Sequence, residues 1–185
     1  MTTHHRGHHM VDPNVLFRKG QLQPGMHIAD LGCGRTGHIV FPASEIIGDD
    51  GIIYAVDILK DVLKIVRKRA KMNNIENIHT VWADLEQVGH TSIPKSSLDV
   101  AYLINTLYQA KDHEAIIRES SRLMKDKARF VVVDWKDRDI PFGPDDEDYV
   151  DFDHIKDLSQ KEGFTLQEDF ELGDYHQGTV FYRNQ

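Results

Sequence analysis

The sequence predicts an α/β fold, a doubly wound, mostly parallel seven-stranded sheet with helices on both faces and an antiparallel hairpin at its C-terminal end. Three observations carry this. Apolar strand-like runs alternate with amphipathic helical patterns from residue 13 to about 162, which is the order that builds a parallel sheet covered by helices. The run "IIYAVDI" (52–58) is almost continuously apolar, as suits a strand buried on both faces. The last two strand-like runs, 164–171 and 178–183, flank the turn-forming "LGDYHQG", a hairpin pattern.

The elements follow in order. Asp12 and Pro13 read as the N-cap and first position of a short helix over 11–19, because proline lacks only an N–H that would be orphaned there anyway. "QPG" (23–25) is a turn, "MHIADL" (26–31) a strand, and a helix follows from about Thr36 to Ile47, with Pro42 arguing for a late start or a kink. "GDDG" turns the chain into the strand 52–58. Asp61 opens a helix with Val62, Leu63, Ile65, Val66 and Ala70 on its apolar side and Lys64, Arg67, Lys68 and Lys71 facing water, and Asn73-Asn74 end it. "IHTVWADL" (78–85) and "LDVAYLIN" (98–105) are strands separated by a loop. A helix over 112–125 buries Ile116, Ile117, Leu123 and Met124, and "ARFVVVDW" (128–135) is a strand. Residues 136–150 are polar with two prolines and read as a loop and possible lid, and a helix over 151–162 stops at Gly163.

At 185 residues the chain is expected to form one domain. Its 40% hydrophobic and 28% charged residues are ordinary for a globular protein, and its net charge of −8 disfavours nucleic acid as a partner. Cys33 is the only cysteine, so an intrachain disulfide is excluded and a reducing compartment fits. No apolar run is long enough for a membrane span, and the start "MTTHHRGHHMVDP" lacks the apolar stretch of a secretory signal. The expectation is a cytoplasmic protein with no membrane association. The "HHRGHH" cluster is expected to be flexible rather than a metal site, with His8 and His9 able to reach over the cleft as a lid.

The chemistry concentrates at the strand ends. "ADLGCGRTG" contains Gly32, Gly34 and Gly37 in the spacing G-x-G-x-x-G, which by itself suggests a dinucleotide. Asp30 opposes that, since its charge would repel a pyrophosphate. In open α/β sheets ligands bind beyond the C-terminal strand ends where strand order reverses. Those ends carry Asp30, Asp57, Asp84 and Asn105. Three carboxylates converging on one pocket favour a cation bearing a ribose and an amino group.

These residues resemble a class I S-adenosylmethionine-dependent methyltransferase, in particular the small ubiquinone/menaquinone-methyltransferase-like, methyltransferase-11 type. "ADLGCGRTG" corresponds to the cofactor loop, "YAVDI" to the ribose acid, "ADLE" to the adenine-side acid and "LDVAYLIN" to the strand beyond it. The resemblance implies a Rossmann-like fold, S-adenosylmethionine as cofactor and transfer of its methyl group by in-line displacement to a small-molecule acceptor. It implies that Gly32, Cys33 and Gly34 lie beneath the methionine part, Asp57 and Ile58 at the ribose, Asp84 and Leu85 at the adenine, and Asp30 and Asn105 at the amino-acid end. The family's third glycine is replaced by Thr36, with Gly37 one place later, which points to a loop one residue longer. Candidates for a general base are Tyr108, His113, Asp134 and Trp135. The alternatives are an RNA or protein methyltransferase, a non-catalytic S-adenosylmethionine-binding protein, and an NAD-dependent oxidoreductase. The last is opposed by Asp30 and by the absence of a Tyr-x-x-x-Lys element.

Overall fold

A computed structural model describes residues 11–136 and 143–184. The His-rich start up to Met10, with His8 and His9 and their lid expectation, and residues 137–142 of the polar loop lie outside the described residues. The rest of that loop, expected as a lid over 136–150, holds a short 3-10 turn at Asp146–Asp148 and buries Val150. The element order is α1 (Pro13–Gly20), β1 (His27–Leu31), α2 (Val40–Ile47), β2 (Ile52–Asp57), α3 (Lys60–Met72), β3 (Ile78–Trp82), β4 (Leu98–Ile104), α4 (His113–Leu123), β5 (Met124–Trp135), α5 (Phe152–Lys161), β6 (Phe164–Leu172) and β7 (His176–Arg183). The strands form one sheet in the order β3-β2-β1-β4-β5-β7-β6.

Local chemistry sets the helix starts. The Asp12 carboxylate accepts the Asn14 N–H at 2.9 Å ahead of Pro13, Asp112 accepts the Ala115 N–H at 2.9 Å, and Asp151 accepts the N–H groups of Asp153 and His154. Each cap satisfies donors that the first helical turn leaves orphaned. Pro42 is accommodated because α2 begins only at Val40, so its missing N–H falls within that same first turn.

Alternation along the central strands sorts the core onto two faces. Ala101, Leu103, Phe130 and Val132 point toward α4 and α5, whereas Val100, Tyr102, Val131 and Val133 point toward α1, α2 and α3. All eight are 0–1% exposed. Such two-sided burial is why β4 and β5 read as continuous apolar runs.

Four sequence expectations change. β3 stops at Trp82, which leaves Asp84 and Leu85 in the following loop. α4 stops at Leu123, and Met124 already pairs with Leu98. The register then shifts so that Val100 faces Arg129, and Lys127 takes a φ of 65° in the irregular stretch. Ile65, expected on the apolar side of α3, is 39% exposed. The C-terminal hairpin has a short turn over 173–175, and its antiparallel strand is internal. β7 lies between β5 and β6 and is antiparallel to both, so β6 forms the edge.

Candidate cofactor cleft

Strand order reverses between β1 and β4, and a cleft of about 650 Å³ opens there beyond the C-terminal strand ends. Every cofactor residue expected from the sequence lines it: Asp30, Gly32, Cys33 and Gly34 from β1 and its loop, Asp57 and Ile58 from β2, Asp84 and Leu85 after β3, and Asn105 after β4.

The loop after β1 is stitched to β2 by its backbone. The N–H groups of Gly32 and Cys33 both donate to the Val56 carbonyl at 2.9 Å. The Gly34 N–H donates to one Asp57 carboxylate oxygen at 3.1 Å, and the Leu59 N–H to the other at 2.8 Å. Each carboxylate oxygen can accept more than one hydrogen bond, so Asp57 is held rigidly yet keeps acceptor capacity toward the cleft.

The two glycines of this loop have different tasks. Gly32 has a φ of 94°, and a Cβ there would lie 2.3 Å from the Thr106 hydroxyl oxygen. That hydroxyl donates to the Leu31 carbonyl at 3.0 Å, so Gly32 lets the loop after β4 close against the loop after β1. Gly34, with a φ of 62°, would carry a Cβ into open space, and its bare backbone is the part a ligand can approach. Beyond Thr36 the loop continues to Gly37, whose N–H returns to the Gly34 carbonyl at 3.3 Å. Arg69 reaches back from α3 to the Thr36 carbonyl at 2.9 Å. The displaced glycine therefore coincides with a later helix start.

Burial dominates the electrostatics of the cleft floor. Asp30 is 3% exposed. Burial first, and then the charge of Asp57, raise its pKa to about 7. The same burial, with the charges of Asp30 and Asp57, pushes the Cys33 thiol up, so Cys33 stays a protonated loop residue. Asp84 caps its own turn, accepting the Glu86 N–H at 3.0 Å and the Gln87 side-chain amide at 2.9 Å. Asn105 takes a φ of 51°, a conformation asparagine tolerates better than most residues. Its N–H donates to the Val133 carbonyl at 2.9 Å, and its buried side-chain oxygen has no partner among the described residues.

The four general-base candidates do not line the cleft. Asp134 is fully buried at the end of β5. One carboxylate oxygen accepts the N–H groups of Leu107 and Tyr108 at 3.1 and 3.3 Å, and the other accepts the Trp135 N–H at 2.9 Å. His113 donates from Nε2 to the Leu107 carbonyl at 2.9 Å. Asp134 and His113 thus bolt the turn 105–109 in place from behind, while Trp135 is 7% exposed in the core. Burial, then the Asp134 charge, raise the Tyr108 phenol pKa. Sequence reasoning missed Thr106, and also His38, whose Nε2 donates to the Val11 carbonyl at 2.7 Å at the rim. Only the position of Thr106, directly after the strand-end Asn105, marks it in the sequence. Among the described residues no group of three or more His, Cys, Asp or Glu is placed to hold a metal ion.

A methyltransferase-domain family model matches residues 22–176. The ubiquinone/menaquinone biosynthesis C-methyltransferase UbiE of Vibrio parahaemolyticus is 31% identical over 114 residues, which is 61% of this chain and 42% of that protein. The aklanonic acid methyltransferase DauC of a Streptomyces species is 34% identical over 76 residues, 41% of this chain and 33% of that one. The chain spans about half the length, or less, of the curated relatives it matches. A crystal structure of a SAM-dependent methyltransferase from Aquifex aeolicus superposes with a TM-score of 0.83 at 20% identity, covering 93% of this chain and 89% of that one. The solved structure shares the fold, and the family model covers both the glycine loop and the strand-end acids: the chain belongs to the S-adenosylmethionine-dependent methyltransferase domain family.

Proposed function

We propose that this chain transfers a methyl group from S-adenosylmethionine to an apolar small-molecule acceptor. The observation that carries the reading is the pairing of Asp57 with the open backbone at Gly34 in the cleft that the Asn105 oxygen, without a partner among the described residues, also lines. The residues present fit the cofactor. Asp57 can accept from ribose hydroxyls with the lone pairs left after its two backbone bonds. The Asn105 oxygen and the Asp30 carboxyl are acceptors suited to an ammonium group. Asp84 and Leu85 stand on the adenine side, beside Ile58. When bound, the cofactor supplies a methyl group already activated on a sulfonium.

The protein's contribution is placement. Asp57 and Gly34 fix one end of the cofactor, and the turn 105–109, held by Asp134 and Thr106, forms the wall beside the other. Alignment of this kind supplies up to about 7–11 kcal/mol in well-oriented systems. Val11, Ile39, Ile104 and Ala110 give the cleft carbon-rich walls, which supports an apolar acceptor. The names of the quinone and aklanonic acid methyltransferases point the same way. A single cysteine allows no intrachain disulfide, which supports a reducing compartment such as the cytoplasm.

Titration calorimetry tests it. S-adenosylhomocysteine should bind and NAD should not. Asp57→Ala should weaken binding by about 2–5 kcal/mol, since each hydrogen bond to a charged group contributes roughly 1.5–3 kcal/mol. Asp57→Asn should be milder. A normal melt with binding within about threefold of the parent would remove Asp57 from the cofactor site, and tighter binding of NAD would overturn the reading.

A further inference from the structure

We propose that the outer face of α3 is a docking surface for an anionic lipid bilayer. In a chain of net charge −8, this one helix holds six lysines and arginines against a single aspartate. Lys60, Lys64, Arg67 and Lys71 recur at helical spacing and form one exposed ribbon, with Lys68 beside it. Among the described residues, the one ion pair on this face joins Lys64 to Asp61 at 2.8 Å. Lys60 lies over the Trp82 ring at 4.8 Å, and Arg67 donates to Thr80 on the same edge strand.

Charge alone would describe a solvated helix. The apolar side chains argue otherwise. Of the eight large hydrophobic residues exposed among the described residues, five border this ribbon: Ile58, Leu59, Ile65, Met72 and Trp82. Met72 is 72% exposed and Trp82 53%. Trp82 flanks the ribbon on the β3 side, while Ile65 and Met72 flank it on the other. Basic residues bordered by aromatic and aliphatic side chains suit a headgroup layer, where cations meet lipid phosphates and the apolar groups enter the acyl boundary. A nucleic acid would use the charges and leave Met72, Ile65 and Leu59 in water. Ile58 and Leu59 also line the cleft, so docking by this face brings the cleft mouth to the bilayer surface, where an apolar acceptor would partition. A peripheral surface leaves no apolar span, which is why the sequence reading expects no membrane.

Sedimentation of the full chain with vesicles tests the proposal without any cofactor, so the result stands apart from the methyltransfer reading. The chain should sediment with vesicles of equal phosphatidylcholine and phosphatidylglycerol, remain in solution with pure phosphatidylcholine, and be released as salt rises to about 0.5 M. The triple variant Lys64→Glu, Lys68→Glu, Lys71→Glu should bind roughly a hundredfold more weakly, at about fivefold for each basic residue lost. Met72→Ser should weaken binding several-fold with the salt dependence intact. Both variants should melt and bind S-adenosylhomocysteine as the parent does. Equal binding to both vesicle types, normal sedimentation of the triple variant, or retention of bulk tRNA in place of vesicles would overturn the proposal.

Discussion

Burial holds the Asp30 carboxyl at a pKa of about 7, and the charge of Asp57 adds to the effect. A carboxyl raised in this way opposes folding once it ionises. Below pH about 4 the folded and unfolded states are both protonated and the effect is absent. It grows as pH rises and is complete above pH about 7. Asp30→Asn should therefore melt level with the parent near pH 4 and above it at pH 8, by up to ~4 kcal/mol for a shift of about three pKa units. S-adenosylmethionine, a cation, favours the ionised form, so its binding near pH 6 should release a proton from the parent and none from Asp30→Asn. Calorimetry in buffers of different ionisation heat reads this directly. Asp134 is a buried acid of another kind. Burial raises its pKa to about 6 against the lowering influence of its three backbone donors. Asp134→Ala would strand the N–H groups of Leu107, Tyr108 and Trp135, each at about 1–3 kcal/mol. It should accelerate amide exchange at those three positions and weaken S-adenosylhomocysteine binding about tenfold or more. Asp134→Asn, which keeps one oxygen acceptor, should recover most of the binding. Equal behaviour of the two variants would show that the carboxylate does not position the turn.

At the scale of the element, α4 does more than cover the sheet. Its Glu119, 0% exposed, accepts the backbone N–H groups of Gly89 and Thr91 at 2.7 and 3.2 Å, and pairs with Arg122 at 2.7 Å. Arg122 also donates to the Thr91 carbonyl at 3.0 Å. One helix thereby fastens the long β3–β4 connection, which carries the cleft-lining residues Asp84 and Leu85 near its start. Burial by itself would raise the Glu119 pKa, but the hydrogen bonds and charge of its partners outweigh it and bring it down to about 2. The stabilisation is present above the ordinary glutamate pKa and is lost as pH falls through about 2. Glu119→Ala should cost about 3–5 kcal/mol, because it leaves Arg122 and two loop amides without their acceptor. Chemical denaturation at pH 7 measures this, and a loss below about 1 kcal/mol would mean that the loop does not depend on the helix.

Across the whole molecule, what the sequence made legible depends on how local the cause is. Asp30 and Asp57 stand at the ends of their strands, the glycine loop follows β1, and Asp84 lies two residues past the end of β3, so alternation and approximate strand ends were enough to converge them on one cleft. The α4–β5 junction was not legible, because Met124 and Lys125 suit a helix as well as a strand and only pairing with Leu98 decides between them. The role of Asp134 was hidden for a related reason. A strand-end acid marks the right end of the sheet, yet only packing shows whether it faces the cleft or the turn behind it. The start of β7 was obscured by Gly178, which is required because a Cβ there would lie 2.5 Å from the Phe170 ring. Strand order was the least legible property, since nothing local says that β7 slips between β5 and β6. That placement bears on how the protein is made. The β5 edge from Arg129 to Trp135 finds its partners only in residues 176–182. At 5–20 residues per second, the roughly 40 residues between them take about 2–8 s to synthesise. For that interval the ribosome presents a nascent sheet with an unpaired, strongly apolar flank, the kind of open edge that recruits foreign strands. The growing chain must keep that slot clear for its own late strand, and the seconds before β7 emerges are when an open edge of this sheet is most exposed to foreign pairing.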